Sequence, residues 1–159
     1  MAQTARSNEA EKATDNSAAI SRRTGDNGAA IGRRAADRTV DVTREIRNAV
    51  AEAGVRNGCV LVYCPHTTAA VTINEAADPD VLADILAGLT RLVPAAGPWR
   101  HAEGNSDAHL KATLVGASVV IPILDGEVAL GTWQGVFLCD FDGPRRRSLT
   151  VSVCARADS

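Results

Sequence analysis

The chain has 159 residues, 45% of them hydrophobic, and a formal net charge of −2 at pH 7. This length and composition suffice for one domain with a buried core. The near-neutral charge argues against a general nucleic-acid binder, and no apolar run approaches the roughly 18 residues of a membrane-spanning helix. The N-terminus also lacks the apolar segment of a secretory signal. We therefore expect a cytoplasmic protein that partners neither nucleic acid nor membrane.

The first part of the chain divides into a tail and an ambiguous stretch. Residues 1–18 are rich in Ala, Ser, Asn, Glu and Lys and show no apolar period. This composition predicts a disordered tail, so the predicted domain covers residues 19–159. Within residues 19–38, residues 20–24 are a candidate edge strand and residues 25–28 a candidate turn.

From Thr39 onward the apolar pattern predicts regular elements. Thr43 is the predicted N-cap of a first helix, which Gly54 ends. The continuous apolar run at residues 59–64 predicts a strand that is buried on both faces. Residues 71–75 are a second, shorter strand candidate.

Two further helices are predicted in the middle of the chain. Asp78 and Pro79 combine an N-cap with a proline at the first helical position, and the loop at residues 94–98 ends that helix. Ser106 is the predicted cap of a third, short helix, and Gly116 is its stop.

The C-terminal part predicts strands joined by a hairpin. A turn signal at residues 125–126 connects a strand at residues 118–124 to a return strand at residues 127–140, with a bend at one of its two glycines. Residues 148–154 alternate between apolar and polar, which indicates one solvated or interface face. About three helices among hairpin-joined strands predict a single α+β domain with a largely antiparallel sheet or sandwich.

The four cysteines are Cys59, Cys64, Cys139 and Cys154. None belongs to a C-x-x-C pair, and all lie in apolar segments. We interpret them as small buried hydrophobic residues in a reducing compartment, rather than as disulfides or zinc thiolates.

The three histidines are the main candidates for chemistry. His101 and His109 bracket a polar segment, and either a strand or a helical stack through Asn105 can bring their rings together. The predicted helix start favours the helical arrangement for His109 and Lys111. Together with His66, these imidazoles can hold zinc and leave an open position. The spacing matches no common zinc motif, so a metal site and a phosphate-binding or hydrogen-bonding role both stay open.

Acidic residues are candidates for proton transfer or for orienting an imidazole. Glu75 directly follows a predicted strand and can act as a general base. Asp107 and Glu103 are alternative bases, or partners that orient a histidine ring. Asp78 and Asp80 are better explained as acids at a helix N-terminus, where the macrodipole favours them.

Several other polar residues are candidate ligand contacts. Lys111 is either a solvated helix charge or a point charge for phosphate. Thr67 and Thr68 follow a buried strand, in an ordinary tight loop or at a junction where a ligand approaches backbone N–H groups. Gln134 lies in an apolar strand, where a buried amide needs partners, so it is a site or interface candidate. Three interpretations stay open for the arginines at 145–147: a solvated turn, attraction of an anionic substrate, or ion pairs across subunits.

Three segments together resemble the YjbQ family, whose members are also known as secondary thiamine-phosphate synthases. The segments are PHTTAAVTINEAADPDVLADIL at residues 65–86, WRHAEGNSDAHLKATLVGASVVIPI at residues 99–123 and LGTWQGVFLCDFDGPRRR at residues 130–147. The resemblance covers roughly residues 39–154. It implies a compact α+β fold, usually trimeric, with a metal or anion site formed by histidines.

The resemblance also implies site residues and an activity. It implies a transferase that joins a hydroxymethylpyrimidine diphosphate to a thiazole phosphate, with zinc assistance, in a homotrimer. Two alternatives stay open: a metal-dependent hydrolase of a small phosphorylated metabolite, and a non-enzymatic trimeric module that binds a metal or metabolite. The expected site comprises the metal ligands His66, His101 and His109, the catalytic residues Glu75, Asp107 and Lys111, and the substrate contacts Thr67, Thr68, Asn105 and Gln134.

Overall fold

The computed structural model of the protein describes residues 17–23 and 37–157. These residues form eight strands and three helices in a single α+β domain, which confirms the predicted fold class. The predicted tail at residues 1–18 lies outside the described residues except for the first two residues of β1, and the predicted turn at residues 25–28 lies outside them entirely. In chain order the elements are β1 (Ser17–Arg23), β2 (Arg38–Asp41), α1 (Thr43–Ala53), β3 (Gly58–Tyr63), β4 (Ala69–Glu75), α2 (Pro79–Leu92), α3 (Ser106–Val115), β5 (Ser118–Leu124), β6 (Glu127–Val128), β7 (Gln134–Asp140) and β8 (Arg146–Ala155).

The strands form a large sheet of order β1-β8-β3-β5-β6 and a small sheet of order β2-β7-β4. Every strand pair in both sheets is antiparallel. β1 lies at the edge of the large sheet and pairs only with β8 among the described strands, as predicted for residues 20–24.

The main core lies between the inner faces of the two sheets and is closed by α1. Ile46 and Val50 of α1, and Val42 directly before it, are each at most 1% exposed. The apolar residues that alternate along β3, β5, β7 and β8 meet them there, because successive strand residues point to opposite faces.

Helices α2 and α3 cover the other face of the small sheet. A second apolar cluster of Ala70, Ala108, Ala112, Cys139 and Phe141 joins α3 to this sheet, and Leu86 and Leu89 of α2 pack against it partly buried. The outer face of the large sheet has no such cover among the described residues, and there Leu61, Tyr63 and Val120 are 36%, 45% and 62% exposed. The prediction that residues 59–64 are buried on both faces is therefore wrong for a single chain, because the helices pack on the small sheet instead.

The helix starts differ in how they are capped. The side chain of Thr43 does not cap α1, because its Oγ1 accepts a hydrogen bond from Val136 N at 2.8 Å. Instead Asp41 Oδ1 accepts from Thr43 N at 2.8 Å. At the start of α2 the prediction is confirmed, since Asp78 Oδ1 accepts from Asp80 N at 2.9 Å.

A hairpin joins β5 to β6, as predicted. Asp125 and Gly126 both have positive φ, 53° and 90°, the combination that a tight type I′ turn requires. The prediction of one return strand at residues 127–140 is wrong, because β6 ends at Val128 and β7 begins at Gln134 in the other sheet. Between them, Gly131 N donates to Gln134 Oε1 at 2.8 Å and closes a turn.

Candidate functional site

Charged and polar side chains gather at one end of the small sheet. The pairings of Asp140 with Arg38 and with Ala69 place the start of β2, the start of β4 and the end of β7 at this end. We call the group the polar end; it comprises Asp37, His66, Thr68, Asn105, Asp107, Lys111, Asp140, Asp142, Arg145, Arg147 and Ser148.

A buried ionic triad joins α3 to the start of β2. Lys111 Nζ lies 2.6 Å from Asp37 Oδ2 and 3.2 Å from Asp107 Oδ2. The three side chains are 2%, 7% and 0% exposed, and Thr90 Oγ1 also donates to Asp37 at 3.2 Å. The buried ammonium thus has two carboxylate partners, which compensate its charge. In this geometry Asp107 and Lys111 tie α3 to Asp37, the residue before β2; their expected catalytic role stays a prediction.

A second buried ion pair joins β7 to β8. Arg147 donates to Asp140 Oδ1 from Nε at 2.9 Å and from Nη2 at 2.6 Å. The same Nη2 donates to Thr68 Oγ1 at 2.9 Å. Arg147 is only 5% exposed, so the interpretation of residues 145–147 as a solvated turn is wrong for this residue. A carboxylate inside an apolar strand demands such a partner.

Asn105 holds an acceptor without a partner. It precedes α3 as the N-cap residue, but its side chain does not cap the helix; the predicted cap, Ser106, is instead the first helical residue. Asn105 Nδ2 donates to Asp142 Oδ2 at 3.0 Å, and Arg145 Nη2 lies 3.1 Å from the same oxygen. The carboxylate fixes which way the amide points. Its buried Oδ1 accepts no hydrogen bond from any described residue.

His66 accepts a backbone hydrogen bond through one of its ring nitrogens. Ser148 N donates to His66 Nε2 at 2.9 Å, so Nε2 holds the lone pair and the neutral ring carries its proton on Nδ1. Burial lowers the pKa of His66 from 6.5, and the guanidinium of Arg147 lowers it further. The ring is therefore neutral near pH 7.

His101 and His109 face each other, as expected if α3 carries His109. Their ring centres are 5.4 Å apart and their planes differ by 88°. Glu103 Oε2 lies 3.6 Å from His101 Nε2. The pair lines an open cavity of about 510 Å³, together with Pro98, Trp99, Arg100, Ser106 and Leu110.

The structure brings together only part of the predicted site. Among the described residues, no three His, Cys, Asp or Glu side chains lie close enough together to hold a metal ion, so His66 does not join the histidine pair within one chain. Glu75 pairs with Gln134 at the opposite end of the β4–β7 ladder. That position is six residues, roughly 20 Å, from the polar end. Thr67 is exposed beside His66.

The cysteine prediction is confirmed for two of the four residues. Cys64 and Cys139 are buried, and burial raises the pKa of both thiols, that of Cys139 to about 12. Cys59 is half-buried and Cys154 is exposed. The interpretation as a buried residue is therefore wrong for Cys154, which lies on the outer face of the large sheet.

These features define a class of protein: a single α+β domain with a buried ionic network and a partly exposed histidine pair near one end of its small sheet. The family described as "UPF0047 protein YjbQ-like" matches residues 29–156. The chain belongs to this family, which confirms the resemblance.

Three similar proteins place the chain within the family. "UPF0047 protein MJ1081" of Methanocaldococcus jannaschii is 52% identical over 114 residues, covering 72% of this chain and 83% of that protein. A crystal structure of an uncharacterised YjbQ/UPF0047 protein of Clostridium acetobutylicum shares 44% identity at a TM-score of 0.79, covering 86% of this chain and 99% of the other. A second similar structure is that of the Sulfolobus solfataricus protein SSO2532, described as YbjQ-like and of unknown function. It shares 31% identity at a TM-score of 0.79, covering 88% of this chain and 96% of the other.

These names correct the expected function. They describe uncharacterised proteins and proteins of unknown function, and none connects the family with thiamine. The expected thiamine-phosphate synthase activity is therefore wrong as an assignment, and the names favour neither alternative. The structure supplies a physical reason, because Lys111, the expected point charge for phosphate, is 2% exposed between two carboxylates. Among the described residues, no helix is both long and apolar enough to cross a membrane.

Proposed function

We propose that the protein binds a divalent transition-metal ion, with zinc favoured, through His101 and His109. The observation that supports this most strongly is the separation of 5.4 Å between the two ring centres. Two neutral imidazoles on one tetrahedral zinc, with nitrogens at about 2.0–2.1 Å, place their ring centres roughly 5 Å apart. The pair thus has the spacing of two ligands of one ion.

The surroundings of the pair fit an ion that is shared with other ligands. A tetrahedral ion takes four ligands, so two imidazoles leave positions for water, for a ligand oxygen or for a side chain of another copy. The carboxylate of Glu103, 3.6 Å from His101 Nε2, is close enough to orient that ring. A bound zinc would supply a Lewis acid for an oxygen of the ligand.

His66 fits this ion less well than the pair does. Its Nε2 lone pair accepts the Ser148 N–H at 2.9 Å, and Nδ1 carries the proton. Ligation through either nitrogen would require this hydrogen bond to break or the ring to change its tautomer. The expectation that His66 is a third ligand stays a prediction.

We further propose that the cavity takes a small phosphorylated metabolite. Arg100 and Ser106 line it beside the two histidines. Ser106 begins α3, and the first turn of a helix presents backbone N–H groups that favour an anion. The Arg100 guanidinium adds a donor that suits phosphate geometry.

A homotrimer that assembles through the α3 face completes the proposal. Leu110 and Leu114 of α3 are 40% and 58% exposed, and Trp99 is 36% exposed in the adjoining cavity. A second copy that covered these side chains would bury apolar surface. It would also carry its own polar residues to the histidine pair. The cytoplasmic location predicted from the sequence belongs to the same proposal, and cell fractionation checks it.

Metal content tests the proposal. We expect purified protein, loaded with zinc and then dialysed, to retain about one ion per chain, since one histidine pair makes one site. The variants His101→Ala and His109→Ala should each lose most of it. Asp78→Ala is the control, because Asp78 caps α2 and should leave the metal content unchanged. A wild-type protein without bound metal would refute the proposal.

The variant His66→Ala decides the extent of the site. Metal content equal to that of wild type would confine the ion to His101 and His109. Loss of the metal would make His66 a ligand and would contradict the tautomer argument.

Light scattering at micromolar concentration should show a trimer, and Leu114→Glu should reduce the measured mass of the assembly. A stable wild-type monomer would reject the assembly.

A further inference from the structure

Two cysteines lie directly opposite each other on the outer face of the large sheet. Cys59 in β3 is the register partner of Cys154 in β8. Their neighbours Val60 and Val153 are buried in the core, and alternate strand residues point to opposite faces. Both thiols therefore point away from the core, and both are free.

The ladder sets the separation of these two residues. Arg156 N donates to Asn57 O at 2.8 Å, and this pair continues the register of β3 with β8. Hydrogen-bonded and non-hydrogen-bonded pairs alternate in an antiparallel ladder. Cys59 and Cys154, two positions along, are therefore a hydrogen-bonded pair with Cα atoms about 5.5 Å apart. A disulfide needs about 4.4–6.8 Å.

The strands also approach each other closely at this point. A Cβ atom on Gly58 would lie 2.0 Å from Cys154 O, so only glycine fits there without a shift of the backbone. Beside it, Cys59 and Cys154 line the same open cavity of about 350 Å³, together with Leu124 and Arg156. A small peroxide or a thiol can enter a cavity of this size.

We propose that Cys59 and Cys154 form a reversible thiol-oxidation site. One thiol loses its proton, and its thiolate attacks one oxygen of hydrogen peroxide to give a sulfenic acid. The O–O bond breaks, and the released hydroxide takes up the proton to become water. The other thiol then attacks the sulfenic sulfur, which forms the S–S bond and releases a second water. The two thiols supply the two electrons that reduce the peroxide.

The same geometry makes the bond reversible. Cβ atoms of hydrogen-bonded cross-strand pairs are farther apart than those of non-hydrogen-bonded pairs, so closing a disulfide here strains it. Strained, exposed disulfides are the readily reduced ones. Two molecules of reduced glutathione reduce the bond by thiol exchange, restore both thiols and leave as one molecule of oxidised glutathione.

Mass spectrometry of the full chain tests the proposal. The protein is treated with hydrogen peroxide, and its remaining thiols are then blocked without reductant. After subtraction of the blocking groups, the intact mass should be about 2 Da below that of the reduced chain, because the disulfide has lost two hydrogens. Peptide mapping should find Cys59 linked to Cys154 within one chain. Reduced glutathione should restore both thiols.

Three variants control the test. Cys59→Ser and Cys154→Ser should each abolish the linkage, with unchanged circular dichroism as evidence that they fold. Cys139→Ala should keep it, because that buried thiol is not a partner. A linkage between two chains, a linkage to Cys64, oxidation beyond sulfenic acid without a bond, or thiols that do not react in the native protein would each overturn the proposal.

Discussion

Replacing Lys111 with Met tests whether the polar end is a coupled ionic network. The ammonium lies 2.6 Å from Asp37 and 3.2 Å from Asp107, and all three side chains are at most 7% exposed. Met keeps most of the volume and removes the charge, so two buried carboxylates lose their cation. Removing one partner of a buried ion pair costs about 3–5 kcal/mol. For a domain of this size that corresponds to a fall in Tm of roughly 6–20 °C.

The assay is thermal and urea unfolding at one fixed protein concentration, with a matched control. Arg56→Met removes the cation of the Arg56–Asp125 pair, in which the side chains are 74% and 85% exposed. Because exposed ion pairs contribute little, this control should change stability by less than about 1 kcal/mol. The double variant Lys111→Met/Asp107→Asn should recover part of the loss, since one of the two uncompensated carboxylates is gone.

Two results would refute this reasoning. One is a Lys111→Met variant that is no less stable than the Arg56→Met control. The other is a double variant whose loss equals the sum of the losses measured for Lys111→Met and Asp107→Asn alone, because additive losses mean that the two groups do not interact.

Two further predictions concern a close backbone approach and a histidine. Gly58→Ala should destabilise the protein by about 1–3 kcal/mol, because its Cβ would meet Cys154 O at 2.0 Å. Gly88→Ala, whose Cβ would have no atom within 4 Å, should instead stabilise α2 by up to about 1 kcal/mol. Chemical unfolding of both variants measures the two changes in stability, and equal changes would contradict the prediction. The pKa of His66 is lowered in the folded protein, so wild type should lose stability as pH falls through 6.5, the unfolded value, towards the lower folded value. His66→Gln should lack that loss, and urea midpoints that depend on pH equally in both proteins would contradict the expectation.

The fold could be predicted from the sequence where local rules decide the outcome. Asp78 before Pro79 marked the start of α2, and the turn at residues 125–126 marked the hairpin, because capping and positive φ restrict the residues that fit. The strand switch between β6 and β7 could not be predicted. An apolar pattern indicates a strand but not the sheet to which it belongs. Thr43 failed as a cap because a distant partner, Val136 N, takes its hydroxyl.

The candidate site was predictable only in part. The spacing of His101 and His109 indicated that their rings could meet, and they do. The partners of the buried charges were missed, because Asp37 lay in an ambiguous segment and Arg147 lay in an apparent surface turn. One signal was present: Asp140 lies within the apolar run at residues 136–141. A carboxylate in such a run needs a buried cation, but the sequence does not say which one.

Anomalous diffraction at the zinc absorption edge, on crystals of the zinc-loaded protein, tests the central claim most directly. The account predicts one strong peak between the rings of His101 and His109, about 2.0–2.1 Å from one nitrogen of each. The His66 ring should still accept the N–H of Ser148. An anomalous peak at any other position, or rings that stay in contact with no peak between them, would contradict the account.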